Sequence, residues 1–198
     1  MSAGPTPPPR LLLVTGPPGS GKSTVSAALA DRWDPSVLVT GDSFFGFLRR
    51  GAIAPWLPES HAQNDTTTRA AAAAAGTFAR GGLTVVYDGV IGPWFLPTFA
   101  RSAGLDVIDY VVLLPPVETC LHRVATRTGH GFTDAAATRH MHADFVRATT
   151  PAPGRPEEAT AQGPPGIVLR DLPDDVDGVV DVILAATASG RARYAVAA

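Results

Sequence analysis

The residues Gly16-Pro17-Pro18-Gly19-Ser20-Gly21-Lys22-Ser23 satisfy the pattern Gly-x-x-x-x-Gly-Lys-Ser/Thr in full. Glycines at these spacings let the backbone turn several N–H groups inward around a phosphate, and a helix beginning near Gly21 adds the positive end of its dipole. In such a loop Lys22 reaches the β- and γ-phosphates of a nucleoside triphosphate. Ser23 supplies the hydroxyl expected on Mg2+, a small hard cation that keeps most of its waters. Thr24 is counted with the nucleotide-binding segment, although helix packing is the simpler role for it. Composition sharpens the assignment. The 16 basic residues are fifteen arginines and one lysine, Lys22, so the compact ammonium is kept where a planar guanidinium would fit badly.

Two aspartates follow apolar runs. Asp42, in Thr40-Gly41-Asp42-Ser43-Phe44-Phe45, suits a general base that takes the proton of a hydroxyl attacking the γ-phosphate; a helix N-cap is the alternative. Asp88, in Val85-Val86-Tyr87-Asp88-Gly89, suits a carboxylate that holds Mg2+ or orients the acceptor; a plain Asp-Gly turn is the alternative. Tyr87 and Trp94 either line an acceptor pocket or belong to the core. Farther on, Arg123 and Arg127 stand four apart on one helical face, followed by Gly129-His130-Gly131, Asp134 at a helix start and Arg139. They form either a lid, whose arginines stabilise charge on the transferring phosphoryl group, or a solvated helix face. His140 and His142, two apart on a helix, diverge and make a poor metal pair.

Chemistry at these positions requires elements that bring them together. Leu11–Thr15 is a short continuous apolar run, as in a strand buried on both faces of a parallel sheet, and the glycine-rich loop follows it directly. Helix is expected over Gly21–Trp33, with Val25, Leu29 and Trp33 along one stripe and Asp34-Pro35 at its end. Further buried strands are expected at Val37–Thr40, Leu83–Tyr87, Val107–Leu113 and Ile167–Leu169, separated by helical segments that include the alanine run Ala70–Ala75. Strands alternating with helices imply an α/β fold: a doubly wound, five-stranded parallel sheet flanked by helices. Ligands of such sheets collect at the carboxyl ends of strands, where Asp42 and Asp88 fall.

At 198 residues, one domain over 10–190 with a small lid around 127–139 is expected, preceded by a proline-rich disordered lead-in over 1–9. The proline- and glycine-rich stretch Thr149–Gly166 reads as a surface loop. No stretch approaches the length of a membrane span and no signal-peptide run is visible, which points to the cytoplasm. The single cysteine, Cys120, reads as a buried reduced thiol rather than a nucleophile. A net charge of −2 argues against a general electrostatic grip on nucleic acid.

The order of these pieces resembles the adenylate kinase-like branch of P-loop kinases, within it the small-molecule kinases related to chloramphenicol phosphotransferase, gluconate kinase and zeta toxin. The resemblance spans residues 10 to about 187 and rests on Gly16–Ser23, Asp42, Asp88-Gly89, the Arg123 and Arg127 pair, and Thr128-Gly129-His130-Gly131-Phe132, which looks like the lid of gluconate kinases. It implies a nucleoside-monophosphate-kinase-like fold and an ATP- and Mg2+-dependent kinase acting on a small-molecule hydroxyl. It further implies Asp42 as acceptor-side base, Arg123 stacking near adenine, and Arg127 with Arg139 on the phosphates. Adenylate kinases follow their Asp-Gly with phenylalanine, proline and arginine, whereas Val90-Ile91-Gly92-Pro93-Trp94 stands here, which argues against a nucleoside monophosphate acceptor. The acceptor pocket is sought over Phe44–Asn64, with Trp56, Glu59, His61, Gln63 and Asn64. The rivals are a polynucleotide 5′-hydroxyl kinase, which needs a basic groove, and a non-catalytic ATP-binding module, which needs Asp42 and Asp88 remote from the phosphates. A GTPase switch would need an Asn-Lys-x-Asp segment, which a chain whose only lysine is Lys22 lacks.

Overall fold

The computed structural model describes residues 10–128, 132–150 and 166–196. The lead-in over 1–9, the Gly129-His130-Gly131 part of the expected lid and nearly all of the loop expected over 149–166 lie outside them.

Strand β1, Leu11–Thr15, is buried along its whole length because it lies between two parallel neighbours, β3 (Thr84–Asp88) and β4 (Val107–Leu113). β2 (Ser36–Thr40) pairs beyond β3 and β5 (Ile167–Leu169) beyond β4, giving the parallel order β2-β3-β1-β4-β5. These are the five expected strands, with bounds shifted by at most one residue. A sixth strand, β6 (Arg193–Ala195), corrects the five-stranded expectation and runs antiparallel along Val107–Asp109 of β4. Unlike the equally short Ile167–Leu169, Arg193-Tyr194-Ala195 is not an apolar run, so nothing in the sequence marked it.

Period-two alternation divides the core between the sheet's faces. Leu11, Leu13, Val85, Tyr87 and Tyr110 pack with Ala71, Ala72 and Ala75 of α3 (His61–Arg80) and Phe99 of α4 (Leu96–Ala103). Leu12, Val14, Val86 and Val111 pack with Val25 and Leu29 of α1 (Lys22–Ala30) and Val180 and Ile183 of α7 (Val176–Ala188). Helices on both faces make the sheet doubly wound. Each fully buried leucine here stabilises the fold by roughly 1.5–3 kcal/mol. The helix α1 ends at Ala30, short of the expected Trp33, whose ring instead packs against the second cluster with the Arg10 guanidinium 5.6 Å from its centroid.

The alanine run is a helix face that packs closely on its neighbour. At Gly76 a side chain would run into the backbone of Ala103, so α3 and α4 approach as only small residues permit. Arg80, in the last turn of α3, donates to the Ala103 carbonyl and, at 3.4 Å, to that of Gly104, satisfying the end of α4. The remaining α-helices among the described residues are α2 (Gly41–Gly46), α5 (Val117–Thr126) and α6 (Ala135–Thr149). As expected, Asp134 opens α6: its carboxylate accepts from Ala137 N at 2.9 Å. Among the described residues no helix is long and apolar enough to cross a membrane.

Candidate active site

The loop between β1 and α1 is shaped by glycines that nothing else could replace. Gly19 and Gly21 adopt φ of +79° and +94°, a left-handed region costly for residues with a Cβ, and a side chain at Gly19 would also strike the Cys120 carbonyl. Cys120 is fully buried beneath the loop, and burial pushes its thiol up to about 11, so it is packing rather than a nucleophile. Arg123, one turn farther along α5, donates to the carbonyls of Ser20 at 3.3 Å and Gly19 at 3.4 Å. α5 thus braces the loop from outside. Pro17 supplies the carbonyl for the turn closed by Ser20 N at 3.2 Å. Thr24 is exposed, so helix packing does not account for it.

Sheet register gathers the carboxylates. Asp88, the last residue of β3, lies beside Val14 of β1 and Thr40 of β2, and therefore between the phosphate loop and the start of α2. Asp42 sits in the first turn of α2, whose N-cap is Thr40. The capping alternative for Asp42 is thereby corrected: the chain turns helical two residues earlier. Asp42 is exposed, and its charge acts on Lys22, Tyr87, Asp88 and Arg127 alike.

The electrostatics follow from crowding in a poorly hydrated space. Burial lowers the pKa of Lys22, while Asp88 and then Asp42 hold it up. Burial raises that of Asp88, offset by the Lys22 ammonium and by a hydrogen bond with the Ser23 side chain, while Asp42 adds to the rise. Asp88 is only 5% exposed, and its Oδ1 has no hydrogen-bond partner among the described residues. A buried carboxylate oxygen without a partner, beside the Ser23 hydroxyl, matches the hard oxygen pair that Mg2+ accepts while retaining its other waters. The plain-turn alternative for Asp88 does not account for that oxygen.

Lys22, Ser23 and Asp42 open into one cavity of about 390 Å3; Asp88 is not in its lining and meets it through Ser23. Pro18, Lys22, Ser23, Asp42 and Arg127 line its phosphate end. Arg127 is fixed by donating to the Phe132 carbonyl at 2.8 Å, with its guanidinium 5.9 Å from the centre of that ring. Burial lowers its pKa and Asp42 opposes this; a guanidinium stays charged regardless. Arg139 is not part of the lining: it pairs with Glu118 at 3.2 Å on the exposed side of α5 and α6. His140 turns toward the cavity and Asp144, at 3.4 Å, whereas His142 meets the Pro115 carbonyl at 2.9 Å, so the two histidines do diverge.

The far wall is aromatic. Tyr87 and Trp94 both line the cavity, Trp94 being 47% exposed there and Tyr87 otherwise buried in the core. From the stretch 44–64, Phe45, Trp56 and Asn64 reach the cavity but Glu59, His61 and Gln63 do not. Gln63 instead brackets both backbone polar groups of Ile53, at 2.8 and 2.7 Å, and His61 stacks on Phe95. Sequence reasoning missed Thr68, Phe95, Phe132, His140 and Asp144 as lining residues. Thr68 lies one helical turn from Asn64, which is the signal that could have found it. It also missed a buried clamp: Ile91 N donates to Thr15 Oγ1 at 2.9 Å and Tyr110 Oη donates to the Ile91 carbonyl at 2.9 Å. That pair fixes the Val90-Ile91 turn, which also lines the cavity.

Set beside known proteins, residues 11–152 match the model of a family described as AAA domain. The chain belongs to this P-loop kinase family. Solved structures with the same fold include a sugar kinase from Janibacter sp. HTCC2649, at 21% identity and a TM-score of 0.66, covering 91% of this chain and 95% of that one. A gluconokinase from Sinorhizobium meliloti 1021 aligns at 19% identity and 0.58, over 91% and 93%. A shikimate kinase from Acinetobacter baumannii, in complex with shikimate, aligns at 20% and 0.58, over 93% and 96%. Identities this low carry the fold alone. No curated protein matches the chain.

Proposed function

We propose that this P-loop kinase-like protein is an ATP- and Mg2+-dependent phosphotransferase that moves the γ-phosphate to a hydroxyl of a small molecule. One observation carries the reading: the phosphate-loop lysine, the carboxylate of Asp42 and an aromatic wall all line a single cavity. A donor phosphate and an acceptor hydroxyl would meet there, with Asp42 between them. Sugar, gluconate and shikimate kinases sharing the fold support a small-molecule acceptor.

In this reading the loop N–H groups and Lys22 hold the β- and γ-phosphates. Ser23 and Asp88 would hold Mg2+, which when bound would screen negative charge on the phosphates. Asp42 takes the proton of the acceptor O–H as that oxygen bonds to the γ-phosphorus; the bond from phosphorus to the β–γ bridging oxygen breaks and ADP leaves. Arg127, already pointed into the cavity by Phe132, stabilises charge on the transferring group. Arg139 would join it by exchanging Glu118 for a phosphate. Arg123 uses the edge of its guanidinium on the loop carbonyls and offers its planar face to adenine. The binding-module alternative needs Asp42 and Asp88 far from the phosphates, yet both act on the Lys22 ammonium.

The test is ADP formation from Mg-ATP across hydroxylated small molecules and a 5′-hydroxyl oligonucleotide, in wild type, Lys22→Ala and Asp42→Asn. Acceptor-stimulated turnover that collapses in both variants supports the reading. ATP binding with no stimulation by any acceptor contradicts it, and salt-sensitive stimulation by the oligonucleotide alone transfers the assignment to a polynucleotide kinase.

A further inference from the structure

Tyr87 belongs to the core and to the site at once. Its side chain is 2% exposed, its ring meets that of Phe99 edge-on with centroids 4.7 Å apart, and it sits in the apolar cluster packed on α3 and α4, yet the residue also lines the cavity. Two glycines locate its polar end. A Cβ at Gly41 would strike the Tyr87 hydroxyl, and a Cβ at Gly89 would stand 2.7 Å from Cε1 of the same ring. Neither glycine has a positive φ, so backbone conformation requires neither of them. Room for Tyr87 does.

Gly41 and Gly89 are the chain neighbours of Asp42 and Asp88. The phenol is thus wedged between the segments that carry the two carboxylates, with its hydroxyl against the first residue of α2. The charge of Asp42 acts on that hydroxyl ahead of the charge of Asp88. A ring buried among close-packed neighbours cannot yield cheaply, so its hydroxyl is a fixed point against which the start of α2, and with it Asp42, is set. Phenylalanine would fill the same core space, and a buried O–H carries a desolvation cost unless a polar group receives it. The hydroxyl is therefore the part of Tyr87 that the core does not require.

Resting on the kinase reading above, we infer that Tyr87 is a positioning residue for phosphoryl transfer: its hydroxyl, wedged against Gly41, holds the start of α2 and orients the Asp42 carboxylate toward the acceptor hydroxyl. Gly41 is the space left for that hydroxyl, and the two residues act as a unit. Tyr87 keeps its own proton throughout; Asp42 remains the group that takes the acceptor's.

The test compares wild type, Tyr87→Phe, Gly41→Ala and the double variant. Thermal melting without nucleotide reads the wedge. Tyr87→Phe keeps the ring on Phe99 and should melt close to wild type, whereas Gly41→Ala should melt lower although a helical position otherwise prefers alanine. Most of that loss should vanish in the Tyr87→Phe background, where no oxygen opposes the new Cβ. Mg-ATP affinity by calorimetry and ADP formation with glycerol and ribose as hydroxyl acceptors read the positioning. In Tyr87→Phe the affinity should stay within about a factor of three while kcat falls by about 10–10²-fold. Melting losses that simply add, or a Tyr87→Phe variant that transfers like wild type, overturn the inference and leave the kinase reading standing. A loss of ATP affinity in step with transfer also overturns it, since the hydroxyl would then serve the nucleotide. If the wild type forms no ADP with these or any other hydroxylated acceptor, the kinase reading fails and the inference with it.

Discussion

At the phosphate end of the cavity the backbone makes the site: three glycines with positive φ, a helix start and one lysine, all within eight consecutive residues. At the acceptor end side chains make it, drawn from α2, the loop before α3, α3 itself, the turn after β3 and α6. The first arrangement tolerates almost no substitution, because Gly16 and Gly19 are pinned by both conformation and backbone neighbours and Gly21 by its φ of +94°. The second can be repacked residue by residue, which suits one phosphate machine serving many acceptors.

The largest expected effect lies at the phosphate end. Lys22→Ala should lower turnover by about 10³-fold, measured as ADP release, while the unliganded protein melts no lower than wild type. Lys22 is a desolvated ammonium, and its removal relieves a burial penalty. A melting temperature that falls together with activity would mean that the lysine supports the fold rather than the phosphates.

Next comes Gly19→Ala. Strain at φ +79° together with the clash against Cys120 should destabilise the protein by about 1–3 kcal/mol, read by denaturant unfolding, and abolish nucleotide binding. A comparable loss on substituting Trp94, which stands 47% exposed at the acceptor end, would erase the contrast between the two ends.

That contrast also explains what was legible. A phosphate loop is local, so Gly16–Ser23 could be read whole, and the parallel strands β1 to β5 are short runs dominated by apolar residues, so they could be read nearly to the residue. Asp42 and Asp88 were visible because strand ends are where such sheets bind. Phe132 and Asp144 were not, since only packing brings α6 and the segment before it over Trp56; Tyr110 was hidden as one more apolar strand residue. β6, as Arg193-Tyr194-Ala195, lacks the apolar run that marked the equally short β5, and Arg139 could not be placed without knowing that Glu118 lies within reach.

A smaller effect, with a definite sign, concerns pH. Burial raises Asp88, so it binds its proton more tightly folded than unfolded. Its stabilising contribution is complete below the ordinary carboxylate range and is lost as pH rises through its folded value. Asp88→Asn should therefore match wild type in thermal stability at acid pH without Mg2+ and exceed it increasingly toward neutral pH. Added Mg2+ should stabilise wild type and not the variant. A variant less stable at neutral pH without the metal would show that the carboxylate is satisfied by the protein alone.

The central claim is that Asp42 belongs to the acceptor side of the reaction while the phosphate loop holds the nucleotide without it. Measuring Mg-ATP affinity by calorimetry and phosphoryl transfer in a single turnover, side by side for wild type and Asp42→Asn, tests this directly. The account predicts ATP affinity within about a factor of three, less than 1 kcal/mol, and transfer slowed by about 10²–10⁴-fold. Unimpaired transfer, or a loss of ATP affinity as large as the loss of transfer, would contradict it.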